Sequence, residues 1–163
     1  MDYLNTGIFS GQSYLLLTQT FRSLNADIRV KLLRLLAAGA LRVDFWSFLQ
    51  MDRKERHLMK YPNDFEDLSV EEQKAVALFL CNNFSSGKGA EWLMYGSPWK
   101  IDEKRETSNV RITSKVAAYS LVSYTPSLQD YGSALIYNIG KNLHILCNQT
   151  KHLPNQLFFE NQF

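Results

Sequence analysis

The sequence predicts an α+β fold, in which a helical N-terminal half packs on a C-terminal antiparallel sheet. Two observations support this prediction. Apolar residues recur at helical spacing through residues 12–85, whereas over residues 91–160 they alternate or lie between turn residues, as in strands. The 163 residues are 45% hydrophobic and 21% charged. This composition excludes a disordered or collagen-like chain and suits a single globular domain over 1–163.

Helix-capping residues define the strongest predicted helices. Asn25 is a good N-cap for a helix that Gly39 ends. Ser69 and Glu72 form a capping box for a helix that runs to about Asn83. These signals fix the direction and the approximate length of two helices.

Two further helices are predicted from weaker patterns. Residues 12–24 carry apolar residues at mixed helical spacing. Asp44 is an N-cap candidate for a helix that either breaks near Asp52 or continues to Tyr61, because Pro62 cannot continue it.

The C-terminal half is predicted to form strands. Val110, Ile112 and Val116 lie on even positions together with later apolar residues, which is the period of a strand. Gly140 lies between two short apolar runs and predicts a hairpin turn. The predicted strands are Trp92–Tyr95, Val110–Tyr124, Ser133–Asn138, Asn142–Cys147 and Leu157–Phe159.

Cysteine usage and hydropathy suggest a cytoplasmic protein. Cys81 and Cys147 are too few for a disulfide framework and lie in apolar surroundings, so two buried thiols are expected. No basic cluster opens the chain, and no apolar run approaches the roughly 20 residues of a membrane span. Three scattered histidines offer no paired metal-ligand spacing, and neither a metal nor another cofactor is expected.

Charge is distributed unevenly along the chain. Residues 22–60 hold nine Lys or Arg against four Asp or Glu, whereas residues 61–75 hold one Lys against five acids. The simpler interpretation is a solvated helical face that is neutralised locally. The alternative is a basic patch for nucleic acid or for an acidic partner.

A helix-turn-helix is the nucleic-acid hypothesis that the basic region allows. Gly39 would form the turn between two helices. Asp44 opposes this interpretation, because an acid near the start of the second helix would repel phosphate. The predicted phosphate contacts are Arg29, Lys31, Arg34 and Arg42.

Catalytic motifs are incomplete, which favours a non-catalytic protein without excluding an enzyme. Cys81 and His144, with Asn148 or Asp130 as a third group, have the chain order of a cysteine hydrolase. However, Cys81 lies near the predicted C-terminus of its helix, where the dipole disfavours a thiolate.

Two other motifs also fall short. Asp64, Glu72 and Lys74 match a metal-nuclease pattern, but the capping box already explains Glu72. Residues 87–89 read Gly-Lys-Gly but lack the preceding Gly and the following Ser or Thr of a phosphate loop, which indicates an ordinary loop.

Aromatic residues are the remaining feature. The chain has ten Phe, eight Tyr and three Trp, residue types that make anchor contacts in interfaces. The candidate protein-binding residues are Trp92, Tyr95, Trp99, Phe158 and Phe159. We therefore predict an intracellular interaction module whose partner is another protein or a complex, acting as a regulator, an inhibitor or a subunit. The alternative is the helix-turn-helix regulator bound to nucleic acid.

Overall fold

Helices make up most of residues 21–150, the part of the chain that the computed structural model describes. The eight α-helices of this part are α1 (Ala26–Gly39), α2 (Phe45–Glu55), α3 (His57–Lys60), α4 (Val70–Asn83), α5 (Gly87–Leu93), α6 (Asn109–Leu121), α7 (Pro126–Lys141) and α8 (Leu143–Thr150). Two 3₁₀ helices span Phe21–Ser23 and Pro62–Asp67. Strands β1 (Trp99–Lys100) and β2 (Glu106–Thr107) pair antiparallel, with Trp99 opposite Thr107.

Helix α4 lies at the centre of the packing. It packs against α1 and against α7, and α7 in turn packs along α6. Val76, Phe79 and Leu80 of α4 are buried in one cluster with Leu36 of α1 and Leu135 of α7. Burial of such side chains from three helices supplies the main driving force for this arrangement.

The capping predictions are confirmed. The side chain of Asn25 accepts a hydrogen bond from the Ile28 amide at 2.9 Å. Ser69 and Glu72 form the capping box, and α4 ends at Asn83. Local side-chain chemistry therefore sets the starts of both helices.

The helix after Asp44 departs from the prediction. The Asp44 carboxylate makes no cap; it instead binds Arg42, with 3.0 Å between Arg42 Nε and Asp44 Oδ1. Helix α2 ends at Glu55, because Arg56 adopts left-handed backbone angles (φ 57°, ψ 24°). The break thus falls between the two predicted positions.

The α+β prediction is wrong. In the described part of residues 91–160, only β1 and β2 are strands. Residues 92–93 belong to α5, the predicted strand over 110–124 is mostly α6, and both arms of the predicted hairpin lie in α7 and α8. The strand predicted over 157–159 and most of the helix predicted over 12–24 lie outside the described residues.

The buried face of α6 explains the error. Ile112, Val116 and Ser120 are buried, as are the intervening Thr113 and Ala117, so burial recurs every three or four residues. Ile112 and Val116 are four positions apart and therefore fit a helical period as well as a period of two. Their β-branched side chains favour strands only weakly, and packing against α7 overrides that preference.

The predicted loop at residues 87–89 is also helical. Ser86 caps α5 by accepting a hydrogen bond from the Gly89 amide at 3.0 Å. A Cβ at Gly89 would lie 2.1 Å from the Asn83 carbonyl oxygen. Only glycine therefore lets α5 turn this closely against the end of α4.

A buried ionic cluster joins α1 to α4. Glu72 Oε1 accepts from Arg29 Nε and from the Tyr61 hydroxyl, both at 2.7 Å, while Glu72 Oε2 accepts from the Ser69 amide and hydroxyl. Burial alone would raise the pKa of Glu72, but the hydrogen bonds from Ser69, Tyr61 and Arg29 outweigh it and lower that pKa to about 2. The carboxylate is therefore held in its charged form.

Candidate functional site

The predicted protein-binding residues have different locations. Trp92 is fully buried, with its ring 6.2 Å from the Phe79 ring between centroids, so it belongs to the core and offers no surface to a partner. Phe158 and Phe159 lie outside the described residues. Tyr95 and Trp99 are half-buried, and the structure places both beside Arg56.

Tyr95 and Trp99 belong to a row of alternating cations and aromatic rings. We call this row the cation–aromatic surface; it consists of Lys88, Trp46, Arg53, Tyr95, Arg56 and Trp99. Each cation lies within about 6 Å of a ring centroid, the range in which a cation is attracted to the face of an aromatic ring.

The distances show that rings and cations are shared along the row. Trp46 has Lys88 Nζ at 5.6 Å and Arg53 Cζ at 5.4 Å from its ring centroid. Tyr95 has Arg53 Cζ at 5.9 Å and Arg56 Cζ at 5.0 Å. Arg56 Cζ also lies 5.9 Å from the Trp99 ring centroid. Each of the four inner members of the row therefore contacts a member on both of its sides, whereas Lys88 and Trp99 end the row.

Several elements supply these side chains. Trp46 and Arg53 are seven residues apart on α2, so they lie on one face of that helix. Trp99 begins β1, and its indole Nε1 donates to Asn109 Oδ1 at 3.0 Å. The side-chain Nδ2 of Asn109 donates to the Trp92 carbonyl at 2.8 Å and so connects the Trp99 end of the row to the core.

Arg56 has an unusual backbone at this site. It is the only non-glycine residue with positive φ in residues 21–150. The left-handed conformation costs an ordinary residue roughly 1–2 kcal/mol. Its Nη1 atom is buried and has no hydrogen-bond partner in the described part of the chain. Such strain is concentrated at functional sites in proteins, which makes Arg56 a candidate binding residue.

The row favours anion binding over base stacking. The rings of Trp46 and Tyr95 each have two cations of the protein within 6 Å of the centroid, so a nucleic-acid base would compete with these cations for the ring faces. A guanidinium that lies over a ring keeps N–H groups at its edge for a carboxylate. Glu91 offers the row one carboxylate, 3.4 Å from Lys88.

The predicted helix-turn-helix contacts are mostly occupied by carboxylates. Arg29 binds Glu72, and Arg34 Nη2 lies 3.1 Å from Glu71 Oε2. Arg42 binds Asp44, and Lys31 is exposed on α1. Arg29 and Arg34 therefore both pair with acids of α4, Arg29 in a largely buried contact and Arg34 in an exposed one.

The helix pair around Gly39 has a second departure from a helix-turn-helix. Five residues, 40–44, separate the end of α1 from the start of α2, and α1 packs against α4. Phe45 and Phe48 are buried on the inner face of α2. The connection between α1 and α2 is therefore longer than the three- or four-residue turn of a typical helix-turn-helix.

Cys81 lacks the chemistry of a catalytic thiol. Its Sγ donates to the Tyr131 carbonyl at 3.7 Å, and burial raises its pKa to about 12. A thiol with this pKa is almost wholly protonated near neutral pH. Only Cys81 is partly buried, whereas Cys147 and His144 are exposed, so the predicted pair of buried thiols is wrong.

Thiol labelling should separate the two cysteines. At pH 8, a disulfide reagent is expected to modify Cys147 quickly and Cys81 only on unfolding, because the pKa of Cys81 is raised to about 12. Mass spectrometry of the labelled peptides measures each site. Fast labelling of Cys81 in the folded protein would contradict this assignment.

The described residues thus define a mostly helical protein with a row of alternating cations and rings at its surface. Comparison with models of protein families, with curated proteins and with solved structures found no match. Among the helices of residues 21–150, none is both long and apolar enough to cross a membrane. No group of three or more His, Cys, Asp or Glu suited to a metal ion occurs in the same residues.

Proposed function

We propose that this chain is a non-catalytic interaction module that binds an acidic segment of a partner protein through the cation–aromatic surface. The observation that carries the proposal is the row itself, in which three cations are ordered by three rings. Arg, Trp and Tyr are the residue types that dominate binding energy in protein interfaces. A regulator, an inhibitor or a subunit of a complex would each use such a surface.

Pre-ordering makes the row suited to carboxylates. Arg and Lys side chains each lose up to about 2 kcal/mol of rotamer entropy when they are fixed. Part of that loss is already incurred here, because Arg53 and Arg56 each lie over two rings. A carboxylate partner then binds with a smaller entropic penalty than it would on a flexible cation.

The proposal is tested by measuring binding and stability on the same variant. Arg56→Gly removes the guanidinium and also relieves the left-handed backbone at φ 57°. We expect its affinity for a fluorescein-labelled hexaglutamate peptide to fall about tenfold, which corresponds to roughly 1.4 kcal/mol. We expect the free energy of unfolding to change by less than about 1 kcal/mol, because strain relief offsets the lost ring contacts.

Lys31→Ala is the matched control, since it removes one positive charge from an exposed position on α1. Its affinity should stay within about twofold of the wild type. Equal weakening by both variants would show unspecific attraction and overturn the proposal. A large loss of stability in Arg56→Gly would make Arg56 a structural residue. Tighter binding of an oligothymidylate strand would favour a nucleic-acid partner instead.

A further inference from the structure

A cleft of about 280 Å³ adjoins the Lys88 end of the cation–aromatic surface. It lies between the start of α2 and the start of α5. Its apolar lining residues include Ala40, Val43, Phe45, Trp46 and Leu49. Trp46 belongs both to this cleft and to the row, so the two features form one continuous surface.

The size of the cleft suits a single side chain. Pockets that hold drug-sized ligands measure roughly 300–1,000 Å³, so a cleft of about 280 Å³ fits one large side chain better than a cofactor. Phe45 and Leu49 are buried, whereas Val43 is 97% exposed. The cleft therefore combines buried apolar lining residues with an exposed apolar residue, as do pockets that receive an anchor residue.

The charges beside the cleft indicate what must be attached to that side chain. Lys88 lines the cleft and also lies over Trp46, and the next cation along the row is Arg53. Two carboxylates also lie here: Glu91 lines the cleft 3.4 Å from Lys88 Nζ, and Asp44 binds Arg42, which lines the cleft too. A ligand anchored here would continue onto the cations of the row, where acidic residues complement them.

We propose that the cleft holds an aromatic side chain of the partner, so that the recognised segment is an aromatic residue joined to a run of acidic residues. This inference rests on the proposed function, because it assumes that the row binds an acidic peptide. It adds a specificity site that accepts an apolar group at one end of the row.

Three labelled peptides separate the anchor from the charges. One is hexaglutamate, and the other two are hexaglutamate with a tryptophan at one end or at the other. We expect the wild type to bind the better tryptophan version at least about tenfold more tightly than hexaglutamate, the effect of one good anchor.

Gly87 offers a position from which a larger side chain would fill the cleft. It lines the cleft, and an added Cβ there would meet no heavy atom within 4 Å. Gly87→Leu should abolish the tryptophan preference and leave the hexaglutamate affinity unchanged. Gly140→Leu is the control, because Gly140 is equally open but lies on α7, and it should keep the preference.

The outcomes distinguish this inference from the proposed function. Equal wild-type affinities for hexaglutamate and for both tryptophan peptides would overturn the anchor and leave the acidic partner standing. A tryptophan preference that survives in Gly87→Leu would place the anchor elsewhere and also overturn it. If none of the peptides binds, both proposals fail. Tighter binding of an oligothymidylate strand than of any peptide would also overturn both.

Discussion

Replacing Gly132 by alanine is expected to lower the free energy of unfolding by about 3 kcal/mol, the upper end of the usual cost of adding atoms to a well-packed core. A Cβ at this position would lie 2.4 Å from the Leu121 amide nitrogen and 2.8 Å from the Leu121 Cα. Both atoms are backbone, so no side-chain rotation can relieve the overlap. Helices α6 and α7 would have to separate, and the buried Leu128 and Leu135 of α7 would lose contacts.

The control is Gly140→Ala on the same helix. Nothing lies within 4 Å of a Cβ at Gly140, and alanine favours helix over glycine by roughly 0.5–1 kcal/mol. Gly140→Ala should therefore be neutral or slightly stabilising. Urea denaturation followed by circular dichroism measures both variants. Equal stabilities for the two would show that α6 and α7 do not approach closely at Gly132.

Replacing Glu72 by glutamine should cost about 3 kcal/mol of stability, the lower end for breaking a buried ion pair. Glutamine keeps the size of the side chain but removes the charge that pairs with Arg29. Both carboxylate oxygens of Glu72 accept hydrogen bonds. Glutamine replaces one of these oxygens with an NH₂ group, which cannot accept, so at least one of these hydrogen bonds is lost. Arg29 is mostly buried, so its charge would be left poorly solvated.

The pH dependence of stability tests the same cluster. The pKa of Glu72 falls from its usual 4.5 to about 2 in the folded protein. Its stabilising contribution is thus complete above pH 4.5 and is lost as the pH falls from 4.5 towards 2. Urea midpoints of the wild type should decline more steeply across this window than those of Glu72→Gln.

Glu71→Gln is the matched control for Glu72→Gln. Glu71 is the neighbouring acid and binds Arg34 and Lys74 on an exposed face. Exposed ion pairs contribute little because water competes for both charges. The Glu71 variant should therefore retain both the stability and the acid sensitivity of the wild type. If the Glu71 variant were as unstable as the Glu72 variant, the claim that the buried Glu72 cluster contributes more stability than the exposed ion pairs would be wrong.

The sequence is most informative where a short-range signal decides the structure. Asn25 and Ser69 cap helices through side chains that reach only three residues ahead, and both were predicted correctly. In the C-terminal half, similar signals exist at Ser108, which caps α6, and at Pro126, in the first turn of α7. The strand prediction rests instead on apolar alternation and β-branched residues. These features are weak evidence, because tertiary packing decides between the strand period of two and the helical period of 3.6.

The candidate site is less visible in the sequence, because its members come from separate elements. Tyr95 and Trp99 could be selected from aromatic clustering, but the same clustering included the buried Trp92. The spacing of Trp46 and Arg53, seven residues apart on α2, is the signal in the sequence that places these two members on one helix face. No local pattern indicated that Arg56 would adopt a left-handed backbone.

The shared rings of the cation–aromatic surface have a consequence for how its residues act together. Tyr95 orders Arg53 on one side and Arg56 on the other. Loss of the Tyr95 ring would therefore release two cations at once, and substitutions along the row should not contribute independently. Binding at the Lys88 end would be coupled to the arginine at the far end through the side chains between them. The row would then respond as a cooperative unit.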